Sequence, residues 1–134
     1  MILVYSYYVL DIVHKGHIYY MANAKAIAGE NGLSIVGILT DEATMQKKPK
    51  PAISFEERFI LARAIRYSDM VVTQPEYSPL NNLKRIRPDV LVESSSHEED
   101  PRVAEFMSEI GGRIITLPYY PSQSSTAIKG KIIG

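Results

Sequence analysis

The sequence predicts an α/β protein with a mostly parallel sheet, and three observations lead to this fold class. Short β-rich runs alternate along the chain with longer segments of helical period. Parallel neighbours need crossover connections, which are helical and right-handed, so this alternation favours one sheet covered by helices on both faces. The length of 134 residues fits a single domain, residues 1–134.

The first half of the chain predicts a strand, a helix, a second strand and a second helix. The run "ILVYSYYVL" is strand-like, residues 16–28 repeat apolar side chains at helical spacing, and "LSIVGILT" is the next strand. A basic loop with several prolines, "DEATMQKKPKPAI", follows. Ser54, with Glu57 three residues later, is typical of a capping box and predicts a helix start.

The second half continues the alternation with shorter elements. "DMVVTQ", "PDVLVE" and "RIITLP" predict strands, "SPLNNLKRIR" and "EEDPRVAEFMSEIGG" predict helices, and a last helix is expected from about Ser125. Five strands with intervening helices predict a Rossmann-like three-layer sandwich. In such folds ligands bind beyond the carboxyl ends of the strands, near the switch point in strand order.

Charge and composition exclude several function classes. Fifteen basic and fifteen acidic residues cancel, which disfavours bulk binding to nucleic acid or to an anionic membrane. The absence of cysteine excludes disulfides, thiolate metal sites and a cysteine nucleophile. The apolar opening "MILVYSYYVL" has no basic leader and no cleavage signal, so we interpret it as a first strand and expect a cytoplasmic protein.

Two histidines stand where the first strand gives way to the first helix. His14 lies in the turn, His17 lies at the helix start, and Gly16 between them lets the backbone approach a ligand. A helix N-terminus with two imidazoles can donate hydrogen bonds to phosphate oxygens. Two alternatives are a metal site, for which the chain offers no supporting spacing, and ordinary surface histidines.

The segment "DIVHKGHIYYMANAKAIA" resembles the H-x-G-H signature of the cytidylyltransferase-like nucleotidyltransferases. Three further segments agree with that family in order and spacing: "KKPKPAISFEERFILARAIRYSDMVV", "IRPDVLVESSS" and "LPYYPSQSSTAIKGKI". The resemblance covers nearly the whole chain. It implies transfer of a nucleoside monophosphate from CTP or ATP to a phosphate-bearing small molecule, with release of pyrophosphate, by a protein that is expected to be a homodimer.

The resemblance implies a catalytic group made of His14, His17 and Lys48. The lysine would reach the reacting phosphates from the basic loop, unless that loop is merely solvated. Lys50 and Asp11 would bind the acceptor. A Mg²⁺ ion is expected through the triphosphate, without a dedicated metal site in the protein.

The nucleotide is expected to contact the end of the first strand, the helix start and two later segments. Arg58 has a second interpretation as a surface ion pair, and the hydroxyls near the C-terminus have a second interpretation as plain helix caps. The residues implied in nucleotide binding are Val9, Leu10, Gly16, Arg58, Ser94, Ser124, Ser125 and Thr126.

The chain departs from the family pattern at several places, one of which is Leu10, where the family usually has an aromatic residue. The usual opening glycine is replaced by Tyr8, and the arginine that precedes the last motif is replaced by Tyr119. Where glycerol-phosphate cytidylyltransferases carry Gly-Asp-Asp-Trp, this chain has "SSSH" at residues 94–97. We therefore expect weak discrimination between CTP and ATP, with a modest preference for CTP.

Two alternatives to a cytidylyltransferase remain open. Parts of the chain also resemble the ATP-dependent adenylyltransferases, of the heptose-phosphate type in lipopolysaccharide core synthesis or of the pantetheine-phosphate type. A nucleotide-binding module without catalysis is the third possibility. Intact His14, His17 and Ser-Ser-Thr favour an enzyme over that module.

Overall fold

The computed structural model describes residues 1–95, 97 and 99–118. Strands and helices alternate in this part of the chain, with two helices in a row between the second and third strands. The strands are β1 (Leu3–Tyr8), β2 (Leu33–Leu39), β3 (Met70–Gln74), β4 (Val90–Ser94) and β5 (Arg113–Leu117). The helices are α1 (Lys15–Ala28), α2 (Asp41–Met45), α3 (Phe55–Ala64), α4 (Leu80–Ile86) and α5 (Pro101–Glu109).

The five strands form one sheet in the order β3-β2-β1-β4-β5, and every neighbouring pair is parallel. The chain runs from β1 outward to β3 and then returns to the other side of β1. The switch point therefore lies between β1 and β4, where Val4 pairs with Val90 and Tyr5 with Leu91. The α/β class and the parallel sheet predicted from the sequence are confirmed.

Apolar side chains cover both faces of the sheet, which makes three layers. On one face Tyr5, Ile35 and Leu91 pack with buried residues of α4 and α5. On the other face, strand residues pack against α1 and α3 in two clusters. The first cluster contains Val4, Ala24, Val90 and Val92. The second cluster contains Leu10, Met21, Val36, Ile38 and Ala62. Alternation of side chains along each central strand sends neighbouring residues to opposite cores.

A polar network inside the first core fixes the loop after β3. The Tyr5 hydroxyl donates to Gln74 Oε1 at 2.5 Å, and Asn82 Nδ2 donates to the Tyr5 oxygen at 3.0 Å. Gln74 Nε2 in turn donates to the carbonyl oxygens of Glu76 and Tyr77. These groups are buried and mutually satisfied, so the loop leaves the sheet in a defined direction.

The sequence located the elements well, with one omission. Ser54 caps α3 as predicted, and its hydroxyl accepts from the Glu57 N–H at 3.3 Å. The segment interpreted as a basic loop begins with a short helix, α2, whose cap is Thr40. The predicted C-terminal helix lies outside the described residues. No helix in the described part of the chain has the length and apolar character needed to cross a bilayer.

Candidate active site

The predicted histidines lie at the switch point of the sheet. β1 ends at Tyr8, five residues follow, and His14 is the N-cap of α1. The carboxyl end of β4 lies on the other side of the same crevice. This is the place where an open parallel sheet binds its ligand.

His14 and His17 cap the helix with their own side chains. His14 Nδ1 accepts from the Gly16 N–H at 3.0 Å, and His17 Nδ1 accepts from the His14 N–H at 3.3 Å. Together they form a capping box, a role that serine and glutamate usually fill. The two ring centroids are 4.1 Å apart.

This capping arrangement sets the position of the proton on each ring. A ring nitrogen that accepts a hydrogen bond carries no proton, so each neutral imidazole has its proton on Nε2. Burial, the His14 ring and the charge of Lys48 lower the pKa of His17 from 6.5 to about 3, and burial lowers the pKa of His14. Near neutral pH both rings are therefore neutral Nε2–H donors.

The Gly16 N–H already has a partner within the protein. The N–H groups at the helix start were expected to donate to a phosphate oxygen, yet the Gly16 N–H donates to His14 Nδ1. An anion at this helix start would therefore be bound by the two ring Nε2–H groups and by the helix dipole, rather than by the Gly16 N–H.

Arg58 is the most deeply buried charged group near the crevice. Its guanidinium donates to the carbonyl oxygens of Ile53, Val9 and Leu39 at 3.0, 2.6 and 2.8 Å, and to the Asp41 carboxylate at 2.7 Å. The side chain has no exposed surface, so a surface ion pair is the wrong description of this residue. Four of its five N–H donors have protein partners, which favours positioning the crevice over contacting the nucleotide.

Leu10 and Asp11 also have structural contacts where ligand contacts were expected. Leu10 is fully buried in the core, and its backbone has a positive φ of 61°. A non-glycine residue in this left-handed region costs roughly 1–3 kcal/mol, which the surrounding packing must offset. The Asp11 carboxylate accepts from the N–H groups of Ala52 and Ile53 at 3.1 and 2.8 Å, so it holds the end of the basic loop.

The basic loop brings Lys48 toward the histidines. Lys48 is exposed, and its charge contributes to the low pKa of His17, which puts the ammonium within electrostatic reach of the imidazole. Lys50 is exposed on the same loop. A cation beside two neutral donors makes this side of the crevice suited to an anionic ligand.

The far wall of the crevice comes from β4 and β5. The Tyr20 hydroxyl of α1 lies 3.1 Å from Ser94 Oγ and donates to the Pro118 carbonyl oxygen at 3.0 Å. The first contact places Ser94, one of the predicted nucleotide-binding residues, against α1, the helix that the histidines cap. Ser124, Ser125 and Thr126 lie outside the described residues, so their predicted role stays a prediction.

Sequence reasoning missed Tyr20 and Asp41. Tyr20 follows His17 by three residues, a spacing that puts both side chains on one face of α1 and could have flagged the tyrosine. Asp41 offered no comparable signal, because its partner is seventeen residues away on another helix. The described residues contain no group of three His, Asp or Glu side chains that could hold a metal ion.

The sequence profile of the family described as Cytidylyltransferase-like matches residues 9–131 of this chain. The chain belongs to the cytidylyltransferase-like family. The family resemblance stated from the sequence is thereby confirmed.

Similar proteins fall into two groups by length. The chain is 32% identical over 126 residues to the bifunctional protein HldE of Pseudomonas fluorescens, covering 91% of this chain but 26% of HldE. It spans about a quarter of the length of that curated relative. It is 35% identical over 116 residues to FAD synthase of Pyrococcus abyssi, covering 83% of this chain and 76% of that enzyme.

A solved structure shares the fold of this family member. The crystal structure of the lipopolysaccharide core biosynthesis protein from Thermoplasma volcanium superposes with a TM-score of 0.76 and 23% identity. The match covers 90% of this chain and 98% of that one. It establishes that the whole described architecture, rather than the sheet alone, recurs in another protein.

Proposed function

We propose that this nucleotidyltransferase joins the adenylyl group of ATP to a small acceptor that carries a phosphate or phosphonate. The observation that carries nucleotidyl transfer is the histidine pair, whereas the choice of ATP rests on a relative. Two neutral Nε2–H donors stand at the switch point of the sheet, with Lys48 within electrostatic reach. Such preorganised donors stabilise negative charge as it builds up in a transition state.

The reaction needs no nucleophile from the protein. An acceptor phosphate oxygen attacks the α-phosphorus, the bond from that phosphorus to the β-phosphate oxygen breaks, and pyrophosphate leaves with the electron pair. The chain supplies orientation and donors, while the Arg58 and Asp11 contacts hold the loops that carry them. If Mg²⁺ were bound through the triphosphate, it would supply positive charge to the leaving pyrophosphate.

We propose ATP rather than CTP as the nucleotide because FAD synthase of Pyrococcus abyssi matches this chain over most of the length of both proteins. FAD synthase, by its name, makes a compound in which an adenylyl group is joined to a flavin phosphate. CTP is the second candidate, because the segment from residue 38 to residue 58 resembles cytidylyltransferases that act on phosphonates or glycerol phosphate. Nothing in the first-turn geometry of α1 reads the base, so the histidines serve either nucleotide.

A pyrophosphate-release assay tests the proposal. ATP and CTP are each incubated with Mg²⁺ and a panel of acceptors: hexose phosphates, glycerol 3-phosphate, phosphonates and FMN. We expect release with ATP and at least one acceptor, and loss of release in the double variant His14→Ala, His17→Ala. Faster release with CTP than with ATP would favour the cytidylyl alternative. Nucleotide binding without release from any acceptor would point to a module without catalysis.

A further inference from the structure

Tyr8 is the last residue of β1, and its side chain lies on the face of the sheet that α1 and α3 cover. Side chains alternate along the strand, so Val4 and Tyr8 pack on that face while Tyr5 and Tyr7 pack on the face of α4 and α5. The Tyr8 backbone pairs with Ile38 of β2, and its half-buried ring packs against one of the two apolar clusters. Backbone pairing and packing therefore hold this side chain in place.

The rings of Tyr8 and His17 are in edge-to-face contact. Their centroids are 6.1 Å apart and their planes are 89° apart, an arrangement that aromatic pairs prefer. Tyr8 ends β1 and His17 lies in the first turn of α1, so the contact joins the two elements that the active-site turn connects. Tyr8 stands where the family pattern has a glycine, and a glycine would leave His17 without this neighbour.

The hydrogen bond that orients the His17 ring is a long one. Its Nδ1 accepts from the His14 N–H at 3.3 Å, just beyond the usual range of about 2.7–3.2 Å. A weak bond of this kind leaves other rotamers open to the side chain unless neighbouring groups pack against the ring. Two rings do so, that of His14 at 4.1 Å and that of Tyr8 at 6.1 Å between centroids. His14 belongs to the same helix start, so Tyr8 is the neighbour that fixes the imidazole relative to the sheet.

The ring of Tyr8, rather than its hydroxyl, makes this contact useful. The hydroxyl oxygen is buried beside Ser6 on the same face of β1. Burial raises the pKa of Tyr8, so the phenol stays protonated and uncharged near neutral pH. Tyr8 therefore brings no charge to His17, and what it offers the imidazole is an apolar ring that excludes water.

We propose that Tyr8 is a positioning residue that acts through His17: its ring closes one side of the imidazole to water and holds Nδ1 toward the cap and Nε2 toward the ligand. The effect on rate rests on the proposed function, whereas the effect on the imidazole does not. Without the Tyr8 ring, water would reach the imidazole, and the pKa of His17 would rise from about 3 toward 6.5. Within the described chain, His14 and Lys48 act on the charge of His17, and both would still lower its pKa.

Long-range ¹H–¹⁵N NMR spectra of the histidine rings test the proposal without any substrate, because each protonation state and tautomer gives the two ring nitrogens different shifts. Wild type is expected to show His17 with its proton on Nε2. Tyr8→Ala is expected to raise the pKa of His17 by about one pH unit or more and to mix the two neutral tautomers. Tyr8→Phe should keep the wild-type spectrum, because it keeps the ring.

Tyr67→Ala is the matched control. Tyr67 also packs partly buried against the same cluster, and its ring contacts the Arg66 guanidinium. Both alanine variants should lower the free energy of unfolding, but only Tyr8→Ala should change the His17 signals. If Tyr8→Ala does not fold, Tyr8→Leu replaces it, since leucine fills the cluster without an aromatic edge, and the same changes are expected. An unchanged pKa and tautomer of His17 in the folded variant, or equal changes in Tyr67→Ala, would overturn the proposal.

Kinetics measure the consequence for the reaction. In the pyrophosphate-release assay, Tyr8→Ala is expected to lower kcat about tenfold or more while the Kd of the nucleotide stays within about threefold of wild type. A wild-type kcat in this variant would overturn the positioning role even if the spectrum changes. If wild type turns over no acceptor but Tyr8→Ala changes the His17 signals as expected, the effect of Tyr8 on His17 stands and nucleotidyl transfer does not.

Discussion

Arg58→Ala is expected to lower the free energy of unfolding by about 3–5 kcal/mol, because it removes a buried cation that several elements share. The guanidinium joins the end of β1 (Val9), the end of β2 (Leu39) and the start of α2 (Asp41). Its removal leaves carbonyl oxygens without donors in a site with no solvent-exposed guanidinium surface. Each buried acceptor that loses its partner costs about 1–3 kcal/mol, which supports the total.

Urea denaturation followed by circular dichroism measures this loss, with Arg63→Ala as the control. Arg63 lies on the same helix and is exposed, so its loss should stay within about 0.5 kcal/mol. Arg58→Lys is expected to recover only part of the stability, since one ammonium cannot replace a planar fork with four partners. A change below about 1 kcal/mol in Arg58→Ala, combined with weaker nucleotide binding, would refute the positioning role and favour direct contact.

Three further predictions concern the histidines and the basic loop. The single variants His14→Ala and His17→Ala should each lower kcat by about 100-fold or more, since one donor of this kind is worth about 3 kcal/mol in rate. The protein should remain folded, because one helix cap contributes about 1 kcal/mol to stability. Wild-type rates in a pyrophosphate-release assay would contradict the assignment. The pKa of His17 falls from 6.5 in the unfolded state to about 3 in the folded state, so the unfolded state binds more protons between these two pH values. The free energy of unfolding should therefore drop by about 2 kcal/mol from pH 7.5 to pH 5. Urea titrations should show that His17→Gln largely removes this drop. Lys48→Ala should reduce kcat more than nucleotide affinity, whereas the control Lys84→Ala on α4 should change neither. Equal kcat values in the two variants would show that Lys48 does not contribute to catalysis.

The order of strands and helices could be predicted from the sequence because each element has a local signal. Central strands such as "LSIVGIL" are buried on both faces and are therefore continuously apolar, and α3 begins with a serine cap. The histidines were found for the same reason, since the turn after β1 is local in sequence. Features that are set by contacts between residues close in sequence can be predicted from a short segment of the sequence.

Roles that depend on distant partners could not be predicted in the same way. Arg58 was expected to bind the nucleotide or to form a surface ion pair, yet its partners Val9 and Leu39 are 49 and 19 residues away. A cavity of about 350 Å³ is lined by Lys47, Tyr77 and Glu93, which come from the loop after α2, the loop after β3 and strand β4. The sequence indicated only that residues 94–97 affect the choice of base, because no local pattern shows which segments meet across the sheet.

In the proposed function, a structural role and a chemical role of the histidine pair coincide at this helix start. A serine or asparagine cap would satisfy the first-turn amides as well as His14 does. Imidazole differs because capping through Nδ1 leaves a second nitrogen, and the cap itself obliges that nitrogen to hold the proton. Burial, the His14 ring and the Lys48 charge lower the pKa of His17 to about 3, so the neutral donor is present near neutral pH. Under the proposed function, the same hydrogen bonds that begin α1 leave Nε2 of each ring as the donor to phosphate, and a substitution that preserves the cap alone is expected to abolish the reaction.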